Sequence, residues 1–182
     1  MTTAEFGEWE ASLVRVRSRG TQTIDRAANL VAAIFRGDDT AAVIVLDEVP
    51  DDDAGDMVHG VLRLCYALAQ RNRTPQGLLA VQAAWLDIAD DDWRLHRRNA
   101  ALLMNSYMQA VDAANWDDFA IVGIDPSVHY NAAAEDFNQV ITNAGEHLYE
   151  VLLTTVKIWR RLLPEISPAS IENVAAAMRI EA

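Results

Sequence analysis

The sequence contains a single cysteine, Cys65, so the chain cannot form an internal disulfide. Cys65 lies in an apolar run with Val61, Leu62, Leu64 and Leu68, which predicts a small buried side chain. A reactive thiol would need a neighbouring histidine or a helix N-terminus to lower its pKa, and neither pattern is evident here.

Long apolar runs are also missing. No segment approaches the about 18 consecutive apolar residues of a membrane-spanning helix. The first residues, Met1 to Glu5, lack the basic and apolar regions of a secretory signal. The expected location is therefore the cytoplasm, with no membrane partner.

Positive charge is scarce. Lysine and arginine together number 15 against 27 acidic residues, which gives a formal net charge of −12. Nucleic acid is a polyanion that usually requires a basic face, so direct nucleic-acid binding is not expected. The same charge suits a basic protein partner. Lys157 is the only lysine, and abundant alanine and arginine with little lysine is typical of GC-rich, here bacterial, coding sequence.

What the sequence has in abundance is alanine, with 30 residues, while glycine and proline number only 8 and 5. Alanine has the highest helix propensity, and few breakers leave long uninterrupted segments. We therefore predict one all-α domain over residues 1–182, a bundle of seven to eight helices. Its centre is predicted to be a long helix from about Asn131 to Leu163, whose apolar stripe is wide enough to be contacted from several sides.

The other predicted helices follow from capping signals and apolar spacing. Gly20 is predicted to separate a helix over about 4–19 from one ending at Arg36. Thr74 and Pro75 are predicted to start another helix, and 90–92 the next, which runs to about Asn115. A short amphipathic helix with Ile171, Val174, Ala175 and Met178 on one face is expected at the end. Residues 41–46 and 119–124 could instead be strands, but the acidic start and the alanine pair favour helix for 41–46.

The acidic residues 52–56 form the pattern DDxxD, which is similar to the magnesium-diphosphate motif of isoprenoid synthases. Those enzymes need a second acidic motif, which this chain lacks, and acids directly after Pro50 also suit a helix start. An alternative metal site would use Asp56 with His59 and, on another helix, His96. That arrangement predicts a metal-dependent hydrolase or a diphosphate-handling enzyme.

The leading functional prediction is a protein–protein interaction module, an acidic helical adaptor, regulator or immunity-type protein without catalytic activity or a cofactor. No lysine or arginine occurs between Gly37 and Leu62. Within that stretch the predicted partner-binding residues are Asp47, Glu48, Asp51, Asp52 and Asp53, which could form a negative surface for a basic protein. The sequence does not predict an oligomeric state.

Overall fold

A computed structural model describes residues 3–91, 95–114, 135 and 137–181 of the chain. These residues contain helices joined by short turns and no strand, so the all-α prediction is confirmed. Among these helices, none is both long and apolar enough to cross a membrane. Residues 119–124, the second possible strand, lie outside the described residues.

The chain divides into two compact units. The first comprises Met1–Arg71 and Pro164–Ala182, and the second comprises Asn72–Leu163. The prediction of a single domain over 1–182 stays a prediction. We describe seven α-helices, four belonging mainly to the first unit and three to the second.

The first unit contains α1 (Thr3–Arg36), α2 (Asp39–Asp47), a 3-10 turn (Asp51–Asp53), α3 (Ala54–Asn72) and α7 (Pro168–Glu181). The core comes from the apolar stripes of α1, α3 and α7, and the predicted stripe residues of α7 are all buried. Arg179 on α7 donates to Asp25 on α1 at 2.6 Å and to Glu172 at 2.8 Å, which links the two helices.

Gly20 does not divide α1, and the prediction of two helices is wrong. The helix continues through Gly20 for 34 residues in all. A glycine inside a helix is destabilising by about 1 kcal/mol relative to alanine. A cost of this size does not by itself end a helix. The helix ends instead at Arg36. Gly37 follows with φ of 81°, and the amides of Gly37 and Asp38 donate to the carbonyls of Ile34 and Ala33.

Gly60 in α3 allows a close approach to α1. A Cβ added at Gly60 would lie 2.9 Å from the Cγ2 atom of Thr23 and 3.5 Å from the Cβ atom of Ala27. The first distance is shorter than carbon atoms tolerate, so glycine is required for this spacing between the two helices.

The second unit contains α4 (Pro75–Asp91), α5 (Leu95–Ala114), helical residues 137–144, a 3-10 turn (Gly145–His147) and α6 (Leu148–Leu162). Its core is built on Trp85 and Trp159, which are fully buried with ring centroids 5.5 Å apart. The indole N–H of Trp159 donates to the Sδ atom of Met104 on α5 at 3.3 Å. Helices α4, α5 and α6 therefore pack around two large, buried aromatic side chains.

Of the two helix starts predicted in this unit, the first is confirmed and the second is wrong. Thr74 caps α4 as predicted, since its hydroxyl accepts from the Gly77 amide at 3.2 Å and Pro75 is the first helical residue. Asp90 and Asp91 were expected to open the next helix, but they belong to the end of α4. No glycine or proline stands before them, so α4 simply continues.

The predicted continuous helix over Asn131–Leu163 is interrupted at Gly145. There φ is 49°, and a 3-10 turn precedes α6. A left-handed backbone at one glycine is enough to break the α-helical hydrogen-bond series. The wide apolar stripe is confirmed within α6, where the following residues are buried: Val151, Leu152, Thr155, Val156, Ile158 and Trp159.

Candidate interaction surface

Helix α2 buries one side and exposes apolar side chains on the other. Asp38 starts it by accepting a hydrogen bond from the Ala41 amide at 3.0 Å. Its inward residues, Ala42 and Leu46, are 0% and 3% exposed. They are four residues apart and therefore lie on one face, against α1. The helix prediction for 41–46 is confirmed.

The outward side carries Val43 and Ile44, which are 45% and 53% exposed. A helix of nine residues in which six consecutive residues are apolar cannot turn all of them inward. The two β-branched side chains therefore remain about half exposed to water.

Four exposed carboxylates follow this apolar pair. Asp47 and Glu48 stand at the end of α2, while Asp51 and Asp52 begin the 3-10 turn. Val49 separates the two acidic pairs and is only 7% exposed, and its amide bonds to the Leu46 carbonyl at 3.0 Å. The buried valine thus holds the turn against the unit while the carboxylates face water.

Asp53 differs from the other four predicted partner-binding residues. Its Oδ2 atom accepts a hydrogen bond from the Nη1 atom of Arg26 on α1 at 3.0 Å, and its side chain is 17% exposed. This ion pair ties the 3-10 turn to α1. Asp53 therefore has an internal structural role, whereas Asp47, Glu48, Asp51 and Asp52 are exposed.

We call Val43, Ile44, Asp47, Glu48, Asp51 and Asp52 the α2 surface. It combines exposed apolar area with negative charge, and no lysine or arginine occurs between residues 37 and 62 of the sequence. The formal negative charge of these four acids makes the surface repel other acidic surfaces and attract basic ones.

The residues of the alternative metal site fall in both units. Asp56 and His59 are exposed, one turn apart on α3 of the first unit. Loss of hydration, and secondly the charge of Arg63, lower the pKa of His59, while Asp56 opposes this.

His96, on α5 of the second unit, packs edge-on against His147 with ring centroids 5.4 Å apart. Its Nδ1 atom is buried, without a hydrogen-bond partner in the described part of the chain. Within that same part, no group of three or more His, Cys, Asp or Glu side chains is arranged to hold a metal ion. The metal-dependent enzyme stays a prediction that no cluster of described residues supports.

A cleft of ≈ 530 Å³ lies at the start of α4 in the second unit, lined in part by Arg73, Thr74 and Leu162. The Nη2 atom of Arg73 donates to the Leu162 carbonyl at 2.8 Å, which satisfies the C-terminal end of α6. The Thr74 hydroxyl caps α4. The polar groups of this wall therefore serve helix ends, and the cleft does not compete with the α2 surface as a candidate site.

Sequence reasoning found the acids of the α2 surface but missed Val43 and Ile44. A usable signal existed, because an apolar run that fills two turns of a short helix must expose some of its residues. Neither a protein-family model, nor a curated protein, nor a solved structure matches this chain. The α2 surface is therefore the candidate functional site of this chain.

Proposed function

We propose that this protein is a protein–protein interaction module that binds a basic partner through the α2 surface. It acts as an adaptor, regulator or immunity-type protein and uses neither a catalytic centre nor a cofactor. In this proposal it works in the bacterial cytoplasm, away from membranes and nucleic acid.

The observation that carries the proposal is the exposed apolar pair beside four exposed acids. Val43 and Ile44 are about half exposed, on a helix whose opposite face is fully buried. Single exposed apolar residues are ordinary on protein surfaces, but adjacent ones rimmed by charge resemble the composition of interfaces, with an apolar centre and a polar edge.

The four exposed acids beside the apolar pair, which we call the rim, indicate the chemistry of the partner by their charge. Asp47 and Glu48 lie at one end of the apolar pair, and Asp51 and Asp52 extend the same sign of charge into the turn. A complementary segment presents apolar side chains flanked by lysine or arginine. Helix α2 is about 14 Å long from its nine residues, which matches about two to three turns of a partner helix. The proposed ligand is therefore a short basic amphipathic helix.

Paired baits test the proposal. The wild-type protein captures binding proteins from native lysate beside a variant that neutralises the rim (Asp47→Asn, Glu48→Gln, Asp51→Asn, Asp52→Asn). Asp53 is left unchanged because its pair with Arg26 is structural. A matched control neutralises four exposed acids elsewhere (Asp87→Asn, Glu135→Gln, Glu146→Gln, Glu150→Gln).

We expect a basic protein that is captured by the wild type and the control but lost by the rim variant, and whose binding weakens as salt rises. Titration of the purified partner then tests whether the two proteins bind each other directly. If the partner binds the rim variant and the wild type equally well, the α2 surface is not its site. Equal weakening by both variants would mean that total net charge, rather than this surface, drives binding.

A further inference from the structure

The 3-10 turn that follows α2 carries three consecutive carboxylates, Asp51, Asp52 and Asp53. Like charges on neighbouring residues repel each other, and this repulsion favours an extended segment over a closed turn. The local sequence offers no compensation, because it contains no lysine or arginine between residues 37 and 62. A compensating positive charge therefore has to come from a distant part of the chain.

Arg26 on α1 supplies that charge. Its Nη1 atom donates to the Oδ2 atom of Asp53 at 3.0 Å, and the two side chains are 21% and 17% exposed. The ion pair is therefore mostly shielded from water, whereas Asp51 and Asp52 are exposed. Without Arg26 the carboxylate of Asp53 would be unpaired and poorly hydrated, so it would move outward into water and the turn would move with it.

The turn is held on both sides of its two exposed acids. Before them, Val49 is only 7% exposed. After them, Asp53 is held by the ion pair, and its amide donates to the Pro50 carbonyl at 2.9 Å. Asp51 and Asp52 therefore belong to a short closed segment with one apolar and one charged anchor.

We propose that the Arg26–Asp53 ion pair positions the acidic turn of the α2 surface for the partner, an inference that rests on the proposed function. The pair fixes Asp51 and Asp52 in place before the partner arrives, and neither Arg26 nor Asp53 contacts the partner. A surface that is already ordered spares the complex the entropy cost of ordering the turn on binding, and that cost would otherwise lower the affinity.

Removal of Arg26 separates positioning from charge. Arg26→Gln removes one positive charge and changes the formal net charge from −12 to −13. Attraction of a basic partner increases with negative charge, so electrostatics alone predicts equal or tighter binding. Loss of positioning predicts the opposite, a rise of about two- to tenfold in Kd, which is the cost of ordering roughly one further side chain.

Binding of a synthetic probe measures this effect. The probe is a fluorescently labelled amphipathic helix with leucine on one face and lysine along both edges, which has the chemistry of the proposed ligand. Fluorescence anisotropy gives its Kd for the wild type, the rim variant and Arg26→Gln, and circular dichroism checks that each protein is folded. An ion pair that only stabilised the fold would leave the Kd of the folded protein unchanged.

Two control variants accompany Arg26→Gln. Arg26→Lys keeps a positive charge beside Asp53 and should bind the probe within about twofold of the wild type. Arg71→Gln removes the same charge from an exposed position on α3 and should bind as tightly as the wild type or more tightly.

Amide hydrogen exchange tests the turn without any ligand. The amide of Asp53 donates to the Pro50 carbonyl, and that of Ala54 donates to the Asp51 carbonyl. Both should exchange about two- to fivefold faster in Arg26→Gln than in the wild type, as expected from the loss of one partly exposed ion pair. Both should exchange at the wild-type rate in Arg71→Gln.

The outcomes distinguish a failure of this proposal from a failure of the proposed function. Suppose that the rim variant loses the probe but Arg26→Gln binds it at least as tightly as the wild type does. The ion pair then does not position the surface, although the proposed function stands. Unchanged exchange at Asp53 and Ala54 in Arg26→Gln would overturn the proposal in the same way. So would an Arg26→Lys or Arg71→Gln variant that binds as weakly as Arg26→Gln. If the probe binds the rim variant and the wild type equally well, the proposed function fails, and the positioning role fails with it.

Discussion

Replacing both exposed apolar residues of α2, Val43→Ser and Ile44→Ser, should weaken binding of the captured partner while the protein remains folded. Both side chains are about half exposed in the free protein, at 45% and 53%. Burying a whole valine or isoleucine contributes about 1.5–3 kcal/mol. Burial of the exposed half of each therefore contributes roughly 0.7–1.5 kcal/mol, or roughly 1.5–3 kcal/mol for the pair.

That free energy corresponds to a rise of about 10- to 100-fold in Kd. The buried half of each side chain already contributes a similar amount to the fold, so the double variant should also lose roughly 1.5–3 kcal/mol of stability. Helix propensity adds little to this loss, because serine is close to valine and isoleucine on that scale. Binding is therefore compared under conditions in which the variant is fully folded. Calorimetric titration at low micromolar protein measures Kd, and urea unfolding measures stability.

The matched control is Leu79→Ser/Leu86→Ser, which removes exposed apolar surface of similar extent from the second unit. It should leave Kd for the partner unchanged. Binding through Val43 and Ile44 is excluded if the Val43→Ser/Ile44→Ser variant binds within about twofold of the wild type, a difference of only about 0.4 kcal/mol. It is also excluded if the α4 control weakens binding as much, since loss of apolar surface anywhere would then suffice.

Three further predictions concern the first unit. Gly60→Ala should lower the free energy of unfolding, measured in urea, by about 1–2 kcal/mol. The reason is that overpacking against Thr23 outweighs the gain in helix propensity. A more stable variant would contradict the close approach of α3 to α1. The pKa of His59 is lowered in the folded state, so the unfolded state takes up its proton first as pH falls through the ordinary histidine range, and stability should decline there. In His59→Gln that part of the pH dependence should disappear from the unfolding curves, and an unchanged curve would contradict it. Burial raises the pKa of Cys65, so a thiol reagent at mildly alkaline pH should label it only after denaturation; rapid labelling of native protein would exclude a buried thiol.

The parts of the fold that could be predicted from sequence are those with repeated local signals. The apolar stripe of α3 recurs over about three turns, and its residues are all buried (Val58, Val61, Leu62, Cys65, Leu68 and Ala69). Thr74 and Pro75 together mark a helix start through two separate physical effects, a side-chain cap and a fixed φ. Errors at single residues do not disturb such patterns.

Glycine positions could not be predicted in the same way, because glycine has three different effects in this chain. Gly20 is tolerated inside α1, Gly60 allows α3 to approach α1, and Gly145 takes a positive φ that interrupts a helix. Helix propensity assigns the same cost to glycine at all three positions. Only tertiary packing, which propensity does not include, decides which role each glycine takes.

Contacts between residues far apart in the sequence could not be predicted either. Asp53 pairs with Arg26 across 27 positions, and His96 packs on His147 across 51 positions in the second unit. Neither pair has a spacing that a helix or turn would impose. Sequence spacing therefore could not name the residue on which His96 packs.

Acidic residues alone do not define the α2 surface, because neighbouring carboxylates make different interactions. Asp38 caps a helix and Asp53 pairs with Arg26, so their side chains are already used within the first unit. Asp47 and Glu48 belong to the candidate surface because they border Val43 and Ile44, which are about half exposed. Exposed apolar groups are the more selective observation, since water alone solvates a carboxylate well but an exposed isoleucine poorly. For this reason the serine substitutions at Val43 and Ile44 test the proposed function more directly than any neutralisation of charge.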